Sequence, residues 1–172
     1  MLEIRWEKFL LQYAPRRTKI AYTGFLLYLL LGLITIVAIE AMKTGWTPQG
    51  VCDYYRGNEA RFMYEKTPLE MLEVSHMHLF SIPVVFFVLG HAFFMTTLRE
   101  KMKLQVVLAS FAAVLFSIGS PWFIRFFSPA FSWVKVASDL VLAASLLVMV
   151  LYPIYEMWWK PPAPFHKKLK AK

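Results

Sequence analysis

The sequence predicts an all-α integral membrane protein: a four-helix transmembrane bundle preceded by an amphipathic helix lying in the interface. Three observations predict it. First, the 172 residues are 58% hydrophobic, with a mean hydropathy of +0.49 and only 17% charged residues. Second, the apolar residues gather into four runs, at 20–42, 70–98, 104–127 and 133–159. Each exceeds the roughly 20 residues that cross about 30 Å of hydrocarbon, and backbone groups in lipid must pair within a helix. Third, Lys and Arg cluster in alternate connections. Arg5, Lys8, Arg16, Arg17 and Lys19 precede the first run, Arg99, Lys101 and Lys103 follow the second, and Lys160, Lys167, Lys168, Lys170 and Lys172 follow the fourth. The positive-inside rule then puts both termini in the cytoplasm of a cell whose plasma (inner) membrane holds the chain. The basic excess is a topology signal and does not point to nucleic acid.

The elements follow in order. Residues 1–19 form a cytoplasmic amphipathic segment. Leu2, Trp6, Phe9, Leu10 and Tyr13 recur at helical spacing among charged residues, and Pro15 ends the helix. Residues 20–159 form the membrane domain. Its first run is too long for the core of a cleavable signal peptide. The connection at 43–69 lies outside the cytoplasm; Gly45, Pro48, Gly50, Gly57 and Pro68 predict irregular structure, with a short helix somewhere in 54–67. Trp133, Trp158 and Trp159 sit near span ends, as an aromatic belt requires. Pro161 to Pro164 stop the last helix, and 160–172 is a basic cytoplasmic tail. Cys52 is the single cysteine, which excludes an intramolecular disulfide and a CxxCH haem attachment.

The second span carries the chemistry. It holds three of the four histidines, His76, His78 and His91, and ionisable groups inside a span are functional candidates. At 100° per residue, Glu73, His76 and His91 fall within about 60° of one another, while His78 points to another face. His91 lies about 22 Å along the axis from His76 and about 20 Å from His78. Pro83 lies between them and is expected to kink the helix.

One helix with two histidines at this spacing resembles membrane b-type cytochromes, in which such a pair ligates two stacked haems. The resemblance covers one helix of four. It implies haem b, with His91 and either His78 or His76 as axial ligands, and Arg125 at a haem propionate. The second histidine helix of those cytochromes has no counterpart, since His166 lies in the tail. Ligation is then completed in a homodimer, by a partner subunit of a heteromeric complex, or by Met149 or Met95 as a His/Met ligand. Gly90 beside His91 would admit a flat macrocycle or a neighbouring helix.

A polar layer is expected in the extracytoplasmic half, made of Glu40, Asp139, Ser117, Ser120, Ser81 and the first two histidines. Asp139 is placed to orient a ligand histidine or to pair with Arg125. Glu40 and Asp139 are the candidate catalytic groups, as a proton path for quinol oxidation. The functional expectation is a membrane electron-transfer subunit binding haem b, with a quinone or a cytochrome as redox partner. Two other readings stand beside it. One is a non-catalytic anchoring subunit with structural histidines. The other is a metal-binding protein, using the ExxH pair Glu73 and His76 or the histidines His78 and His91, or a proton-relay protein using Glu40, His76 and Asp139.

Overall fold

The computed structural model describes residues 10–161. The N-terminal part of the expected amphipathic helix and the tail with His166 lie outside them; the part inside is a single 3-10 turn, Leu11–Tyr13. Five α-helices follow: α1 Arg16–Thr44, α2 Pro48–Arg56, α3 Pro68–Phe94, α4 Glu100–Phe126 and α5 Phe131–Trp158. Four of them, α1, α3, α4 and α5, are long and apolar enough to span a membrane, and no strand occurs among the described residues. The chain is a multi-pass membrane protein, and most of its exposed large apolar side chains lie on these four helices.

Local chemistry sets the helix ends. Pro15 gives way to α1, which ends at Gly45 in the left-handed conformation, φ 60°. α3 opens on a capping box: Thr67 Oγ1 accepts from the Glu70 backbone N–H at 3.2 Å, and the Glu70 carboxylate accepts from the Thr67 N–H at 2.8 Å. Pro68 occupies the first turn, where no N–H is needed. α3 runs on through Pro83 and ends at Phe94, four residues short of the expected 98.

The 43–69 connection is more ordered than its glycines and prolines predict. Its α-helix is Pro48–Arg56, which overlaps the expected 54–67 only at its end, and a short 3-10 helix, Glu59–Arg61, lies within that stretch. Thr47 caps the α-helix, accepting from the Gly50 N–H at 3.0 Å. Gly50 is obligatory here: a Cβ would lie 1.9 Å from the Thr44 carbonyl oxygen. α2 packs on α1, α4 and α5 and closes this end of the bundle, called the cap end below. Arg56 Nη1 donates to the Ile124 carbonyl at the end of α4 (2.9 Å).

The opposite end, where the termini emerge, is the packed one. Leu11, Leu26, Leu89, Phe93, Met149 and Met157 form the core there. Polar ties surround it. Lys19 Nζ donates to the Met157 carbonyl at 3.0 Å, joining α1 to α5. Lys103 is 2% exposed and donates to the Phe94 and Thr96 carbonyls at 2.9 and 3.1 Å, so this lysine serves the open end of α3 rather than lipid headgroups. Glu156, fully buried, accepts from the Thr97 N–H at 2.9 Å and from its hydroxyl at 2.8 Å. α4 and α5 pack most closely, whereas α1 and α3 hardly touch. The bundle is therefore tight at the termini and splayed toward the cap.

Candidate functional site

The splay opens a cavity between α1, α3, α4 and α5, roofed by α2. It has two connected chambers, of about 490 Å³ and about 350 Å³. Glu40, His78, Ser117 and Lys135 border both. The upper chamber, next to the cap, adds Lys43, Lys66, Glu73, Tyr54 and Tyr55. The lower one is walled mainly by aliphatic side chains and holds Asp139 at its upper rim.

The polar layer expected from the sequence is thus real, and most of its members meet here. Asp139 accepts from the Ser117 hydroxyl at 2.6 Å and pairs with Lys135 one turn before it on α5. Its expected partners, a ligand histidine and Arg125, are not there. Arg125 lies outside both chambers, where its Nη2 pairs with Glu65 at 2.7 Å and its Nε donates to the Lys66 carbonyl at 3.0 Å. The reason is position: Arg125 is in the last turn of α4, level with the cap loop, not with the membrane layer. The Glu40 carboxylate faces the cavity with no hydrogen-bond or ion-pair partner among the described residues.

The histidines separate. His78 lines both chambers, and its Nδ1 donates to the Val74 carbonyl at 2.8 Å. A carbonyl only accepts, so Nδ1 is the donor in this contact and Nε2 is the ring nitrogen left for a ligand. His76 is outside both chambers, its ring 4.8 Å from that of Phe80. His91 is exposed and lies in the last turn of α3. With α3 running from Pro68 to Phe94, His78 stands ten residues from its start, whereas His91 stands three residues from its end. A basic group there complements the carbonyl end of the helix.

These positions limit what a single chain can ligate. Met149 is buried in the core against Ser110, Met95 packs on that core, and neither borders the chambers that His78 lines. Met71 borders the upper chamber but stands seven residues from His78 on the same helix, about 10 Å along the axis. No group of three or more His, Cys, Asp or Glu that would hold a metal occurs among the described residues. A Cβ on Gly90 would meet no atom within 4 Å, so no helix uses this glycine for close approach.

The sequence reasoning missed Tyr54 and Tyr55. Tyr54 lies under two ammonium groups, Lys43 at 5.3 Å and Lys66 at 5.0 Å. Burial, and then the Glu40 carboxylate, push the Tyr55 phenol up, so it stays a neutral hydroxyl at physiological pH. Both come from α2, which propensity did not place. Trp122 also joins the wall, its indole donating to Ser75 Oγ at 3.1 Å.

The membrane architecture has a counterpart among known families. A transmembrane helical domain family, Aq_1264_TM, matches residues 45–164, the cap loop through α5 and beyond. The chain belongs to this family. Its description names membrane helices and is not that of a cytochrome b family. No curated protein and no solved structure matches the chain.

Proposed function

We propose that this protein is a membrane subunit of an electron-transfer complex and that its cavity binds the ring of a quinol-type carrier. One observation carries the reading: a histidine whose Nδ1 is held by a backbone carbonyl and whose Nε2 is not, a carboxylate with no hydrogen-bond or ion-pair partner among the described residues, and a hydroxyl border one cavity between the spans. A quinol leaves as quinone by losing two protons and two electrons. His78 Nε2 and the Glu40 carboxylate are the two proton acceptors, the ring hydroxyls donating to them. The Lys135–Asp139 pair sets the field around both. The electrons pass to a redox group of a partner subunit. In this reading the cap faces the periplasmic side of the plasma (inner) membrane, both termini are cytoplasmic, and protons leave through the upper chamber.

Haem b belongs to the same proposal in a narrower form. His78 faces no second histidine, so a bis-histidine haem is held between two copies of the chain or against a partner subunit, by His76 and His91 on their shared stripe. Reduced-minus-oxidised spectra of the purified protein check this: a b-type α-band that disappears in His91→Ala supports it, and a haem-free chain purified with its neighbours ends it.

The quinol reading is checked by titrating the detergent-purified protein with decyl-benzoquinone. Wild type is expected to bind, and His78→Ala to bind about 10-fold more weakly, the value of one hydrogen bond in a dry site. If folded wild type binds no quinone, the chain is better read as an anchoring subunit with structural histidines.

A further inference from the structure

The lower chamber has no work in ring chemistry. It continues from the polar layer down the bundle, and along α1 it runs from Glu40 to Leu29, about 16 Å. Leu33, Val85, Leu89 and Leu146 are among its walls. Below its polar rim the chamber is walled by aliphatic side chains, which forgo dispersion contacts when nothing lies against them. Gly32 sits on its α1 side with nothing within 4 Å of a Cβ position, although alanine is the better helix residue. The walls therefore leave room that the chain's own side chains decline to fill. α1 and α3, which flank this room, hardly touch, so the room is bounded on that side by lipid rather than by a helix contact.

We propose that the lower chamber holds the long apolar tail of the ligand whose head occupies the upper one, and that the ligand enters sideways from the bilayer between α1 and α3. The ligand is then a membrane-resident amphiphile, not a solute from water. The occupant follows from continuity: the two chambers share Glu40, His78, Ser117 and Lys135, so a molecule with its head at that layer has only the lower chamber or the bilayer for its tail. The identity of the head rests on the quinol reading; the tail does not.

Filling the chamber tests this. Gly32→Phe, with Gly32→Leu as a milder version, projects a side chain into the chamber without displacing backbone. Gly24→Phe is the control, on the same helix, with equally open space and outside both chambers. Decyl-benzoquinone and a tail-less benzoquinone are titrated into each, and the amphiphiles that co-purify are extracted and weighed by mass spectrometry. The expected result is that decyl-benzoquinone binds wild type and Gly24→Phe about 10-fold or more tighter than the tail-less ring, and that the Gly32 variants lose that advantage. A long-chain amphiphile retained by wild type and Gly24→Phe but not by Gly32→Phe also supports the tail chamber, even if no quinone binds, and in that case the head reading alone fails. Equal binding of both quinones, with the Gly32 variants unchanged, overturns the tail chamber and leaves the quinol reading standing. So does retention of the same amphiphiles by all variants.

Discussion

At the residue scale, the cavity turns on a few ionisable groups whose state is set by neighbours. Lys135 and Asp139 are both largely buried and satisfy each other, with Ser117 as a third member. Removing one member leaves a charge in a low-dielectric wall, whereas removing both leaves none. Asp139→Ala is therefore expected to destabilise the protein by about 3 kcal/mol, seen as a lower thermal midpoint in detergent. The double variant Lys135→Met, Asp139→Leu is expected to regain most of that loss. If the double variant is worse than the single one, the pair does not act as a unit. The i, i+4 spacing of Lys135 and Asp139 is readable from sequence as a helix pair. That Asp139 chooses Lys135 over Arg125 is not, because both candidates are cations at the same end of the molecule. His78 was legible as a costly residue in a span and as pointing away from the face of His76 and His91; which of the two faces meets the cavity was not legible.

Helix ends decide more at the element scale than helix existence does. The four spans were legible from apolar run length alone, within a few residues at each end. Small end shifts still matter for the chemistry: α3 stopping at Phe94, not at 98, puts His91 in its last turn. The Thr67-to-Glu70 capping box was a readable signal for where α3 starts, lying just ahead of the apolar run. α2 was hidden because Pro48 and Gly50 read as breakers, while in place they are a first-turn proline and a contact glycine. Gly50→Ala tests that role. A methyl 1.9 Å from the Thr44 oxygen cannot be accommodated without moving α2, at a cost of about 2 kcal/mol or more. Faster proteolysis within 43–69, with the four spans still helical, is the expected outcome. Unchanged protection of the loop would mean α2 is not docked through this contact.

For the whole molecule, the governing feature is asymmetry between the two ends. The terminus end is welded by the aliphatic core and by Lys19, Lys103 and Glu156, and the cap end is propped open under α2. A bundle of this shape gives a membrane-resident molecule a site while one end holds the helices together. The proposed orientation puts the cap outside. Replacing Cys52 by Ser and adding Cys at Phe62, which is 92% exposed in the cap loop, or at the exposed Arg99, checks it. A membrane-impermeant maleimide applied to intact cells is expected to label Phe62→Cys, and to label Arg99→Cys only after permeabilisation. The opposite pattern inverts the bundle and with it the proton path.

By itself, the sequence determined the number of spans, the loops between them and which connections carry the basic residues. These follow from local quantities: apolar run length, charge counts and a fixed rise per residue. Only the tertiary structure decided which polar residues meet, that Arg125 leaves the layer for Glu65, that α2 roofs the bundle, and that α1 and α3 part to make room beside Gly32. Those outcomes depend on which faces pack against which. In lipid the apolar surfaces of a span are nearly equivalent as solvent contacts, so hydropathy does not rank them. The choice falls to close packing and to a few buried polar ties, and both exist only once the helices are together.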